Sequence, residues 1–291
     1  MIHPADLRAR AEALTGPLPP LLAAAEHLAT TVLLGEHGRR RPGLGDEFWQ
    51  YRPARPGDEH RMVDWRRSAR SDAHYVREKE WQAAQSVVIW PDNAQAMRFA
   101  SSKDLPTKAL SARIIALATA VLLIRGGERV GLTDLELPPR SGPLQLLRLA
   151  EALSREDEAL DYGAPETRGM PAHSRAVFLS DFLGDIAPVE HALTRAADKG
   201  VKGAILQILD PQEEAFPFDG RTIFESVGGT LSHETRKARD LRDRYLDRLA
   251  ARKDVLQSLA RTTGWQYHCH HTDRPGTAAL LWLYQALERI H

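Results

Sequence analysis

The chain has 291 residues and is 43% hydrophobic, enough to bury a sizeable core as one large domain or as one domain with an elaborated arm. Its 39 basic and 39 acidic residues cancel, so no global field draws nucleic acid or anionic lipid, and a charged partner has to be held by a local patch. A single cysteine, Cys269, excludes an intramolecular disulfide framework and fits a reducing compartment.

The segment from Met1 to Asp6 lacks a basic stretch followed by an apolar one, so no secretory signal is expected. The longest apolar run, Ile114 to Ile124, falls far short of the roughly 20 residues that span a bilayer. These features point to a cytoplasmic protein without direct membrane insertion.

Residues 5–34 read as two short helices split by Gly16-Pro17-Leu18-Pro19-Pro20, the second running from Leu21 to Leu34. Gly35 to Gly45 then reads as a polar connector containing Arg39, Arg40 and Arg41. His74 to Glu80 alternates like a strand, and Ser86-Val87-Val88-Ile89-Trp90 has the continuous apolar character of a strand covered on both faces. A helix is predicted over Thr107 to Arg125, with Leu110, Ile114, Leu117 and Val121 on its apolar face and Gly126-Gly127 as its stop. Strand Arg129–Leu132, helix Leu144–Ser154, strand Ala176–Leu179, helix Pro188–Lys199 and strand Gly203–Leu209 follow. After a loop come a short strand, Thr222–Glu225, a charged helix over 234–262, a strand over 265–268 and a closing helix over 278–290.

Strands alternating with helices of this length predict an α/β fold, a doubly wound and mostly parallel sheet preceded by an N-terminal helical and extended arm. The expected division is 1–44 for the arm and connector, 45–80 for a charged segment wrapping the core, and 81–291 for the α/β domain.

The segment 45–80 fits neither the helical nor the strand period. It carries Gly45-Asp46-Glu47-Phe48, Arg52, Gly57-Asp58, Arg61, Asp64-Trp65-Arg66-Arg67-Ser68-Ala69-Arg70 and Tyr75-Val76-Arg77-Glu78. This pattern resembles the motif of the bacterial domain of unknown function 58 family, over about residues 38–290. The resemblance implies a von Willebrand factor A-like domain and association with MoxR-type AAA+ ATPases.

Acids alternate almost one for one with the arginines of this segment. Because a guanidinium suits bidentate carboxylate pairing, Arg52, Arg61, Arg66, Arg70 and Arg77 with Asp58, Asp64 and Glu80 read first as an internal network. A partner-binding surface comes second. Nucleic-acid binding through the basic residues with Trp49, Tyr51 and Trp65 comes last. Glu47, Gly57 and Trp65 belong to the same motif. Arg39, Arg40 and Arg41 have no acid neighbour before Asp46 and read as a solvated run, with contact to an acidic partner surface as the alternative.

In an open parallel sheet a ligand sits beyond the carboxyl ends of the strands, here the loops 91–97, 133–142 and 180–185. The resemblance implies an Asp-x-Ser-x-Ser cation site in the first of these loops, completed by a Thr and an Asp from the later ones. Asp92 and Asp181 are in place, but both serine positions are alanines, Ala94 and Ala96, and the second loop offers no convincing Thr. The preferred reading is that Asp92 and Asp181 cap helices or bind loop amides, with weak Mg²⁺ binding as the alternative.

A second Asp two residues after Asp92, which an aspartyl-phosphate hydrolase needs, is missing, and no nucleophile elbow, Walker loop or dinucleotide fingerprint occurs. On a strand, His268 and His270 face one way and Cys269 and His271 the other, so His268-Cys269-His270-His271 brings at most two ligands together, short of a four-ligand zinc site.

The resulting expectation is a non-catalytic adaptor, working with a MoxR-type AAA+ ATPase and with membrane-bound von Willebrand A proteins, and needing no cofactor. The alternative is a Mg²⁺- or Mn²⁺-dependent enzyme or adhesion-type binding domain using Asp92 and Asp181.

Overall fold

A computed structural model describes residues 20–30, 40–43, 47–54, 63–69, 74–82, 84–133, 137–155, 160–225, 232–235 and 237–289. The first elements are α1 (Pro20–Thr30), β1 (Arg40–Gly43), β2 (Glu47–Pro53), the one-turn helix α2 (Trp65–Ser68) and β3 (Tyr75–Gln82). The chain continues with β4 (Ser86–Pro91), a 3₁₀ turn (Gln95–Arg98), α3 (Lys108–Arg125), β5 (Arg129–Leu132), α4 (Pro143–Ser154), β6 (Arg175–Ser180) and α5 (Ala187–Asp198). It closes with β7 (Lys202–Leu209), α6 (Pro211–Ala215), β8 (Thr222–Glu225), β9 (Ser232–Thr235), α7 (Arg239–Thr263), β10 (Gln266–His271) and α8 (Gly276–Arg289).

These elements fall into two compact units, and the division differs from the expected 1–44, 45–80 and 81–291. The helix α1 groups with the chain from Ser86 onward, and the segment Glu36–Gln85 stands as the second unit. The reason is burial, since Leu22, Ala25 and Ala29 of α1 are lost from solvent in the same apolar cluster as α3, α4 and α8.

The larger unit is an α/β layer whose five strands are all parallel, in the order β10-β7-β6-β4-β5. Successive residues of a strand face opposite ways, and both faces are covered. Val87, Ile89, Val177, Leu179, Leu206 and Ile208 pack toward α1, α3, α4 and α8. Val88, Ala176, Phe178 and Ile205 pack toward α5 and α7, where Phe178 meets Trp265 at 4.7 Å between ring centroids.

The helix α3 is buried almost all round rather than along one stripe. Leu117 and Val121 of the expected stripe are buried, but Leu110 is 42% exposed, and the alanines from Ala109 to Ala120 supply close contacts instead. A helix that is apolar on every side belongs inside a layer, here between the sheet and three other helices.

The simple strand–helix alternation breaks after β5, where Val130 and Arg140 pair antiparallel and the chain doubles back before α4. Two further differences follow from local pairing. Glu234, expected at the start of the long helix, lies on β9 opposite Ile223, and the helix begins at Arg239. The last strand extends to His271, because each residue from Gln266 to His271 finds a parallel partner on β7.

The smaller unit is a three-stranded antiparallel sheet in the order β1-β3-β2. What reads in the sequence as a connector is a strand here, with Arg40 opposite Gln82 and Arg41 opposite Trp81. A bulge between Phe48 and Gln50 shifts the pairing of β2 with β3, which accounts for the lack of a clean period-two pattern in this stretch.

Candidate functional site

The strand order reverses between β5-β4 and β6, so the crevice where an open sheet receives ligands lies at the carboxyl ends of β4 and β6. Asp92 directly follows β4, and Asp181 directly follows β6. The tertiary fold therefore brings the two sequence-nominated carboxylates into one place, and both are buried, at 3% and 2% exposure. Each accepts an amide two residues ahead, Asp92 Oδ1 from Ala94 N at 2.8 Å and Asp181 Oδ1 from Leu183 N at 3.0 Å. The second oxygen of Asp92 accepts from the Ser180 hydroxyl at 2.6 Å, and that hydroxyl oxygen in turn accepts from Phe182 N.

The second oxygen of Asp181 meets a side chain that sequence reasoning passed over. Lys108, the first residue of α3, is 1% exposed and places Nζ 2.7 Å from Asp181 Oδ2 and 2.6 Å from Glu213 Oε1. Glu213 sits in the single turn of α6, after the third strand end of the crevice. Its other oxygen accepts from Asp210 N, completing a capping box with Asp210. Asp210 is fully buried and also accepts from Ser101 N at 2.8 Å, pinning the loop that leads into α3. Gln207 donates to the Asp181 carbonyl at 2.8 Å and accepts from the Tyr267 hydroxyl at 2.6 Å.

Burial raises the Asp92 carboxyl, opposed by its bonds to Ser180 and Ala94. Glu213 is likewise raised by burial, against the pull of Lys108. For Lys108 burial acts downward, but Asp181 and Glu213 together outweigh it and raise the amine above its ordinary value. The lysine is therefore an ammonium at neutral pH, and a charged amine is no nucleophile.

The residues present do not fit a divalent cation. A Mg²⁺ bound by Asp181 would lie roughly 2 Å from its oxygen, within the space and against the charge of the ammonium already hydrogen-bonded there. Ala94 and Ala96 stand where the resemblance implies hydroxyl ligands, and both are buried. Above Asp92 the chain over 160–163 closes down, with Gln95 N and Ala96 N donating to the Leu160 and Asp161 carbonyls. Gly163 comes so near that a Cβ there would be 2.1 Å from Asp92 Oδ1. Among the described residues, no three His, Cys, Asp or Glu side chains are arranged to hold a metal.

The histidines of β10 divide between two faces. His268 stacks on Trp282 at 5.0 Å, and His271 pairs with Glu214, which also pairs with Lys253. His270 is buried, which pushes its imidazole down to about 4, and burial pushes the half-buried Cys269 thiol up to about 11.

In the smaller unit, Asp64 caps α2 by accepting from Arg67 N at 3.0 Å and takes the Tyr51 hydroxyl at 3.1 Å. Ser68, buried, donates to the Asp64 carbonyl and accepts from Tyr75 N, tying the turn to β3. Arg67, which was not singled out, lies over the Tyr51 ring at 4.3 Å and near the Tyr75 ring at 5.5 Å. Arg66 is exposed, and Trp65, 53% exposed, meets His74 edge-on. Arg39, Gly57, Asp58, Arg61 and Arg70 lie outside the described residues, as do the side chains of Arg40, Arg41, Glu47, Arg52, Arg77 and Glu80.

Among the described residues, no helix is long and apolar enough to cross a membrane. The chain is 27% identical to the uncharacterized proteins Mb1516 of Mycobacterium bovis and Rv1480 of Mycobacterium tuberculosis, over 90% of this chain and 88% of each relative. Among solved structures it matches the conserved hypothetical protein BatB from Bacteroides thetaiotaomicron with a TM-score of 0.42 and 14% identity, covering 71% of this chain and 98% of that one. A family model described as "Protein of unknown function DUF58" matches residues 50–255. That match takes in the Asp64–Ser68 knot, Asp92, Lys108, Asp181 and Glu213, and the chain belongs to the DUF58 family.

Proposed function

We propose that this chain is a non-catalytic protein-binding scaffold that works with a MoxR-type AAA+ ATPase in the cytoplasm and reaches membrane-bound von Willebrand A proteins through such partners. The observation that carries the non-catalytic part is the Lys108 ammonium, 1% exposed and held between Asp181 and Glu213. It supplies from within the chain the positive charge that a bound cation would bring to this crevice. The crevice then serves to lock four loops together, and recognition is left to the outer surface. The ATPase association follows from the family resemblance of the 45–80 motif.

Two experiments test the reading. Millimolar Mg²⁺ or Mn²⁺ leaves the melting temperature of the wild-type chain unchanged. A rise that Asp92→Ala abolishes would instead establish the metal-dependent alternative. The tagged protein co-purifies with its native AAA+ ATPase, and Ala at Arg39, Arg40 and Arg41 reduces recovery. Recovery of no such ATPase, with or without ATP, removes the adaptor role.

A further inference from the structure

Lys108, Asp181 and Glu213 bring an amine and two carboxyl groups into contact where water hardly enters. Lys108 is 1% and Asp181 2% exposed, and Nζ lies 2.7 Å from Asp181 Oδ2 and 2.6 Å from Glu213 Oε1. A nitrogen hydrogen-bonded to a carboxyl oxygen at that distance is roughly 3–3.5 Å from the carboxyl carbon, the separation of a near-attack pair. Each member is also held from behind. Asp181 Oδ1 accepts from Leu183 N at 3.0 Å, the Asp181 carbonyl accepts from Gln207 at 2.8 Å, and Glu213 Oε2 accepts from Asp210 N at 2.8 Å. The Phe99 ring lies 5.8 Å from Nζ and adds an apolar wall.

The resting ammonium does not attack, because it has no free electron pair. One proton passing from Nζ to Oδ2 along the existing hydrogen bond changes that. The transfer removes both charges of a pair whose burial is costly, and it leaves a free amine beside a protonated carboxyl, the reactive form of each. In water, hydration would hold the two charges in place, and this site is nearly closed to water.

We propose that Lys108 and Asp181 join slowly in the folded chain through a side-chain amide bond, with Glu213 as the base. The amine attacks Asp181 Cγ and the N–C bond forms. Negative charge gathers on Oδ1, which the Leu183 amide already faces, and Glu213 takes a proton from the nitrogen. Glu213 then returns that proton to the Oδ2 hydroxyl, the C–Oδ2 bond breaks, and water leaves. An ammonium and a carboxylate have become an amide and one water, no oxidant or reductant is consumed, and Glu213 ends in the charge state in which it began. Each chain reacts once and turns over no substrate, so the inference goes beyond the scaffold reading without depending on it. In linked and unlinked chains alike, Asp181 is closed to a cation. The bond ties the start of α3 to the end of β6 across 73 positions, which limits how far the unfolded chain can spread.

The test is mass spectrometry of the full chain, purified promptly and held at neutral pH over several days. The denatured wild-type chain shows a species lighter by one water that grows with time. In its tryptic digest the peptide containing Lys108 is joined to the peptide containing Asp181, and cleavage after Lys108 is lost. Lys108→Arg keeps a cation in the triad but supplies no primary amine, and gives no joined peptide. Glu213→Gln keeps amine and carboxyl but removes the base, and slows joining at least ~100-fold.

A wild-type chain that keeps its full mass throughout overturns the proposal, whether or not the variants fold. So does a water loss that maps elsewhere, as a cyclic imide at Asp219-Gly220 would, or joining in Glu213→Gln as fast as in wild type. Such a failure leaves the scaffold reading standing, since the metal and ATPase experiments test that separately.

Discussion

Replacing Lys108 by Met removes one charge while keeping most of the side-chain volume, and the structure sets what that costs. The ammonium is 1% exposed, and it sits 2.7 Å from Asp181, itself buried, and 2.6 Å from Glu213. Breaking a buried pair by deleting one partner leaves an uncompensated charge and costs about 3–5 kcal/mol. For a unit of this size that corresponds to a fall of roughly 10 °C in melting temperature.

The pH dependence follows from linkage. Wild-type Lys108 is raised in the folded state, so its contribution is complete at neutral pH and is lost only as pH rises through that raised value. In the variant, a buried carboxylate without its cation has a folded pKa above its unfolded one. The folded chain then binds more protons than the unfolded chain, and the deficit shrinks as pH falls toward about 5. Urea denaturation followed by far-UV circular dichroism at neutral and mildly acid pH measures both effects. A loss below about 1 kcal/mol, or a deficit that is the same at both pH values, would refute the assignment of Lys108 as the internal cation. Adding Asp181→Asn to Lys108→Met recovers part of the loss, since the double variant buries one charge fewer.

Ser180→Ala removes the donor to Asp92 Oδ2 and the acceptor of Phe182 N, and costs about 1–3 kcal/mol by urea denaturation at neutral pH. The Asp92 carboxyl, already raised, rises further, so this cost too is smaller in acid than at neutral pH. Gly163→Ala places a Cβ 2.1 Å from Asp92 Oδ1 and pushes the segment 160–163 off the crevice, at a cost of about 1–3 kcal/mol. Hydrogen exchange of the Gln95 and Ala96 amides, which bond to that segment, reports the opening. His270, pushed down to about 4 by burial, is neutral when folded and takes a proton more readily when unfolded. Stability therefore declines as pH falls from its ordinary value of 6.5 toward 4, by on the order of 3 kcal/mol when complete, and melting of His270→Phe across this range shows a shallower slope.

Local chemistry made most of the elements legible. Thr107 accepts from Leu110 N and caps α3, Gly126 ends it, and Gly264 at φ 73° ends α7, so those boundaries stand where the residues put them. The strands β5 and β8 span Arg129–Leu132 and Thr222–Glu225, the ranges expected from the sequence. The antiparallel hairpin β8-β9 and the strand β1 were not legible, because short polar segments become strands only when a partner edge is at hand. The convergence of Asp92 and Asp181 was readable from the rule that ligands gather where strand order reverses, since both follow apolar strands.

Lys108 was missed because its partners lie 73 and 105 residues away along the chain. One local signal does point to it. A lysine at the first position of an apolar helix sits against the positive end of the helix dipole, a local mismatch that calls for a compensating acid elsewhere. Arg67 was likewise hidden among three arginines within five positions, 66–70, the other two places being Ser68 and Ala69. Only the antiparallel pairing of β2 with β3 sets the Tyr51 and Tyr75 rings in its reach.

The sequence by itself determined the layered α/β class, the family motif and the loss of two hydroxyls at Ala94 and Ala96, because these depend on periodicity and residue identity along short stretches. The tertiary structure alone decided what stands in the crevice. An ammonium from one helix end reaches two carboxylates at two other strand ends, and only the closing of the sheet brings such distant charges within 3 Å and strips them of water.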